Sequence, residues 1–93
     1  MDEVIKLTVT SEHRKKAQSI SYSKGNLVTK NCLVVQALKE KFPSIKGITC
    51  FTNGAVVDGY NFRLNESAIS ITRKSWEQWD ELNLPIDIEL TKF

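Results

Sequence analysis

Few residues in this chain have the type and spacing that chemistry requires. His13 is its single histidine and so its one candidate general base. It falls in a polar stretch, Glu12 to Lys16, expected to connect two strands. A solvated turn residue explains it there, and no nucleophile pairs with it. Asp80 and Glu81 are adjacent carboxylates, but an acidic solvated loop accounts for the pair, and no metal-ligand spacing accompanies them. Gly47, Gly54 and Gly59 are too scattered to cradle a phosphate. Cys32 and Cys50 also lack metal-ligand spacing. With no signal peptide to suggest an oxidising compartment, they are expected to be buried thiols inside a cell rather than a disulfide. Asn65-Glu66-Ser67 matches a glycosylation acceptor, which has no meaning without a secretory signal. The expectation is a protein that is not an enzyme and uses no cofactor and no metal.

Charge gives a second line. The net charge is +2, but it is unevenly spread. Arg14, Lys15, Lys16, Lys24, Lys30, Lys39, Lys41 and Lys46 face a single acid, Glu40, between Arg14 and Lys46. Glu77, Asp80, Glu81, Asp87 and Glu89 face no base between Trp76 and Leu90. Such a separation informs on association rather than on fold. Arg14, Lys15, Lys16 and Lys24 could line a phosphate-binding edge, with Tyr22, Phe51 or Tyr60 stacking on unpaired bases. Against this, Tyr22 and Phe51 fall in strand patterns that core packing explains. The acidic C-terminal strand would also repel a nucleic-acid backbone. A pI of about 8.6 lies below a strong electrostatic footprint.

The elements that must position these residues are well marked. Ninety-three residues with 41% hydrophobic content suit one small domain over residues 1–93 with a single core. No apolar run approaches the roughly 20 residues that span a bilayer, so a soluble chain without a membrane partner is expected. Ile5, Leu7 and Val9 alternate with polar residues, as do Gln18, Ile20 and Tyr22, which predicts an opening hairpin. Val34, Val35, Leu38 and Phe42 lie on one face at helical spacing, with Gln36, Lys39, Glu40 and Lys41 largely opposite. Asn31 stands at a capping position, and Pro43 ends the helix. Ile48, Cys50 and Phe51 predict a short strand, Asn53-Gly54 a tight turn at positive φ, and Ala55 to Val57 the returning strand. Ala68, Ile69 and Ile71 suggest one more short strand. Arg73 to Leu84 reads as a loop with Trp76 and Trp79 folded over the core edge. Ile86, Ile88 and Leu90 alternate as a final half-buried strand, with Pro85 at its first position.

Strands at both chain ends and one helix give an α+β class. The layout is that of a ubiquitin-like β-grasp, a mixed sheet of about five to six strands packed on one helix, with the first and last strands as central neighbours. The scaffold does not give function. A conjugated modifier, which needs an exposed Gly-Gly tail, is set aside because the chain ends Leu90-Thr91-Lys92-Phe93.

The segment Leu33 to Asn53 resembles the helix and following strand of the N-terminal domain of the TAR DNA-binding protein family. The shared skeleton is an apolar helix ending in Phe42-Pro43, three residues, Gly47, the aliphatic Ile48, a short strand, then Asn53. The resemblance implies a ubiquitin-like domain, nuclear in location, that self-associates head to tail and concentrates RNA-recognition domains lying outside these residues. Nucleic acid would then be handled only through those other domains. Head-to-tail contact is heterologous, so one surface must complement a different surface on the next copy. The family pairs an acidic first hairpin with basic positions near the hairpin after the helix. Here Arg14, Lys15 and Lys16 occupy the first connection and Asp58 the later turn. Either the implied interface is inverted, with those three cations meeting Asp58 and Glu66 on the next copy and Tyr60 beside them, or this interface is absent. The alternatives are a heteromeric adaptor docking another ubiquitin-like or acidic domain, and direct nucleic-acid binding.

Overall fold

Alternation of buried and exposed residues decides the strands. In a computed structural model of the chain, which describes residues 3–19, 32–74 and 76–93, five strands form one sheet. They are β1 (Val4–Val9), β2 (Ile48–Cys50), β3 (Gly54–Val57), β4 (Tyr60–Leu64) and β5 (Ile86–Lys92). Ile5, Leu7 and Val9 of β1 face the same side as Ile88 and Leu90 of β5, Phe62 and Leu64 of β4, Ala55 and Val57 of β3, and Ile48 and Cys50 of β2. All of these are buried. Period-two patterning thus places one apolar face against the helices.

Three helices are described: α1 (Ser11–Gln18), α2 (Leu33–Lys41) and α3 (Glu66–Thr72). A 3-10 stretch, Trp76–Glu81, follows α3 and drives Trp79 into the core. Helix α2 packs on β1 and β2, with α1 and α3 against it. That placement corrects the simple amphipathic expectation for α2. Every residue from Leu33 to Leu38 is buried, Gln36 included, because neighbouring helices cover the flanks the sheet leaves open. Phe42, expected on the apolar face, ends the helix in a non-helical conformation and is half-buried.

The strand order is β1-β5-β4-β3-β2, and all four pairings are antiparallel. The α+β class holds, but the mixed sheet does not. The first and last strands do pair, with Leu7 opposite Ile88. Their pairing is antiparallel, and β1 lies at the edge of the described sheet rather than at its centre. The register also staggers the sheet. β1 and β5 extend one way past the shared row Val4, Thr91, Arg63 and Gly54, while β2, β3 and β4 extend the other.

Three local expectations change. The polar segment after β1 is helix α1, and Gln18 belongs to it, so the opening hairpin is absent there. Ile20, Tyr22, Lys24, Lys30 and Asn31 lie outside the described residues, as does the side chain of Trp76. Ala68 to Ile71 is helical because Asn65 caps α3, its side chain accepting from the Ala68 amide at 3.0 Å. The tight two-residue turn lies at Asp58-Gly59, where φ is 51° and 86°, the signature of a type I′ turn. It joins β3 to β4, a strand absent from the expected order. Gly54 is required for another reason: a Cβ there would meet the Phe62 carbonyl oxygen at 2.9 Å.

Gly59→Ala should cost about 1 kcal/mol or somewhat more in urea unfolding, since alanine is strained at positive φ. Gly47→Ala, where an added Cβ meets nothing within 4 Å, should stay within about 0.5 kcal/mol. Equal effects at the two glycines would refute the turn assignment.

Candidate interaction surface

The basic cluster is built on α1, and the start of that helix explains the fate of His13. The Thr10 backbone N–H donates to His13 Nδ1 at 2.9 Å, which fixes the proton on Nε2. Nε2 then lies 3.1 Å from Glu40 Oε2 on α2, close but poorly aligned for a hydrogen bond. His13 is 3% exposed. It is a buried tie between α1 and α2, not the solvated turn residue that its polar neighbours suggest.

Arg14 also turns inward. Its Nη1 donates to the carbonyls of Trp79 and Leu82, both at 3.2 Å, and its Nε lies 4.0 Å from Asp80 Oδ1. Gln18 Nε2 donates to the same carboxylate oxygen at 3.1 Å. The 3-10 stretch is therefore held to α1 by side chains, and Asp80 serves that contact. Lys15 and Lys16 remain exposed. Lys15 lies 3.8 Å from Glu12, with both side chains about three-quarters exposed, a contact that adds little to stability.

Asp58 and Tyr60 lie together at the β3–β4 turn. Tyr60 is exposed, and the Lys92 ammonium stands over its ring at 4.3 Å. Glu66 does not join them. It occupies the first turn of α3, beyond the far end of β4, where its charge favours the helix start. The six expected interface residues thus divide into an inward Arg14, an exposed Lys15 and Lys16, a paired Asp58 and Tyr60, and a separate Glu66. The staggered register sets α1, which follows Val9, at the opposite end of the ladder from the turn between Val57 and Tyr60.

Other apolar residues are also exposed. Phe51, expected in the core, is 54% exposed, and Val4 and Phe93 are exposed as well. The signal for Phe51 was present: if Ile48 and Cys50 point inward, the next residue points out. Arg63 stands over the Phe93 ring at 5.0 Å.

A second region is a cavity of about 220 Å³ lined by Cys32, Cys50, Phe51, Thr72, Lys74 and Trp79 among others. Both cysteines are free and buried. Among the described residues no group of three or more His, Cys, Asp or Glu could hold a metal ion, and no helix is long and apolar enough to cross a membrane. No protein-family model matches the chain, and neither a curated protein nor a solved structure matches it.

Arg14→Ala should destabilise the protein by about 1–3 kcal/mol, because two part-buried carbonyls lose their donor. Lys15→Ala and Lys16→Ala should each stay within about 0.5 kcal/mol. Urea denaturation of the three variants measures this, and an Arg14 variant as stable as the lysine variants would show that the guanidinium is not structural.

Proposed function

We propose that this domain is a non-enzymatic interaction module that self-associates head to tail, with Lys15 and Lys16 of one copy meeting Asp58 and Tyr60 of the next. The observation that supports it is placement. These two exposed pairs stand at opposite ends of one staggered sheet, as a heterologous contact requires. Arg14 and Glu66 drop out of the contact, the first because it is spent on the 3-10 stretch and the second because it lies away from the turn. The proposal needs two exposed surfaces on one rigid body and does not require ubiquitin-like kinship. Nucleic acid is handled elsewhere in this reading, because Arg14 is spent beside Asp80 and the open sheet face carries Asp87 and Glu89, with Lys6 opposite Glu89.

Exposed ion pairs contribute about 0–1 kcal/mol each, so they set orientation and salt sensitivity while apolar contacts such as the Tyr60 ring carry more of the affinity. The oligomer is weak and concentration-dependent. Analytical ultracentrifugation should show mass rising with concentration and falling with salt. Asp58→Lys should weaken association several-fold, and adding Lys15→Glu and Lys16→Glu should restore part of it. A strict monomer at millimolar concentration sinks self-association, and failed restoration removes the pairing. Titration with labelled single-stranded RNA at moderate salt should show no tight binding.

A further inference from the structure

The cavity that neither fold nor association uses holds two thiols side by side. Cys32 is the N-cap of α2, and Cys50 is the last residue of β2, the strand that α2 packs against. Each is nearly inaccessible over the protein surface, at 6% and 4% exposure, yet both line the same cavity. The two thiols are close enough for the charge on one to bear on the other. Two buried thiols from distant parts of the chain, meeting at a helix start and open to one cavity, are more than packing requires.

The surroundings differentiate the pair. The neighbouring Cys50 thiol holds the Cys32 thiol below its ordinary pKa; burial opposes this, and the position of Cys32 at the amide-rich start of α2 reinforces it. Cys50, whose Sγ donates to the Phe51 carbonyl at 3.5 Å, moves the other way, pushed up by the Cys32 thiol beside it and by burial. One thiol is therefore the better nucleophile, and its neighbour keeps the proton. The cavity rim carries Lys74, whose pairing with Glu81 at 3.9 Å is partly exposed. It is a cation suited to a carboxylate-bearing co-reactant.

We propose that Cys32 and Cys50 form a thiol–disulfide exchange site that takes a small-molecule disulfide, with Cys32 as the attacking thiol and Cys50 as the resolving one. In the first step the Cys32 thiolate attacks one sulfur of the small disulfide. A Cys32–S–S–R bond forms, the small S–S bond breaks, and one small thiolate leaves and takes up a proton. In the second step Cys50 gives up its proton and attacks the Cys32 sulfur. The Cys32–Cys50 bond forms, and the second small thiolate leaves and is protonated. The protein loses two hydrogen atoms, and the disulfide is reduced to two thiols. The bridge joins the start of α2 to the end of β2, so its product is a locked contact between the central helix and the sheet.

Glutathione disulfide is the probe, applied to the folded full chain at neutral pH with intact-mass and peptide mapping as readout. The wild-type chain should become lighter by two hydrogen atoms, with Cys32 and Cys50 in one cross-linked peptide. Cys50→Ala should stop at a stable glutathione adduct on Cys32, and Cys32→Ala should stay largely unmodified. Independently of either variant's folding, a brief pulse of iodoacetamide on the reduced wild type should label Cys32 at least about tenfold faster than Cys50. Reaction only after denaturant is added overturns the site. A mixed disulfide in the wild type that never closes overturns the pairing, and faster labelling of Cys50 overturns the assigned order.

Discussion

The structure depends on the burial of α2. Its nine residues are too few to hold a helix in water alone. They include two adjacent β-branched residues, Val34 and Val35, which lower helix propensity. Its N-cap, Cys32, makes no capping hydrogen bond through its side chain. Lys39 and Lys41 in its last turn favour it by only about 0.3–1 kcal/mol each, so the helix exists because Leu33, Val34, Val35 and Leu38 are wholly removed from water. Each such burial is worth about 1.5–3 kcal/mol relative to exposure. The same contacts give β1 and β2 their apolar cover, and helix and sheet therefore form together or not at all. His13 and Arg14 extend that dependence outward, one tying α1 to α2 and the other tying the 3-10 stretch to α1.

Electrostatics follow from this packing. In the sequence the basic and acidic segments are far apart, and a dipole that acts between copies is the natural expectation. Folding brings much of that charge together within one chain. Arg14 and Gln18 meet Asp80, Lys74 meets Glu81, and Lys6 on β1 lies 3.8 Å from Glu89 on its partner strand. These contacts are largely exposed and individually weak, but they use the acids that a basic partner would otherwise find. What remains for an interface is small and local, which is why the proposed contact is weak and narrow.

Legibility in the sequence tracked how local the deciding interaction was. β1, β5 and α2 were readable because alternation and helical spacing reflect burial directly, and the β2–β3 hairpin was readable from its short apolar runs. α3 was misread as a strand because Ile69 and Ile71 alternate, whereas the deciding signal was Asn65 as a cap followed by an acid at the helix start. β4 is masked in the sequence although Asp58-Gly59 is a strong hairpin signal, because Asn53-Gly54 offers the same signature five residues earlier, where the glycine answers a close backbone approach instead. The inward turn of Arg14 and the burial of His13 were not readable at all. Both depend on segments far along the chain, Trp79 and Leu82 for one and Glu40 for the other. The candidate surface was accordingly legible in Lys15, Lys16 and Asp58, whose exposure needs no long-range partner.

The two proposed activities draw on different parts of this architecture. Cys32 stands at the uncapped start of the helix on which everything leans, and Cys50 is paired across the sheet with Ala55, three residues before Asp58. The β3–β4 turn is therefore about 10 Å along the strand from the thiol pair, a separation at which local effects usually become independent. A bridge between Cys32 and Cys50 would restrain the unfolded chain across the whole of α2 and stabilise the native state without touching Lys15, Lys16 or Asp58. Exchange chemistry would act on how firmly the body holds together, and the charged ends on what that body joins. Among the described residues, coupling between them would run through α2, which meets α1 by way of His13, or through the 3-10 stretch, whose Trp79 lines the cavity and accepts from Arg14 of α1.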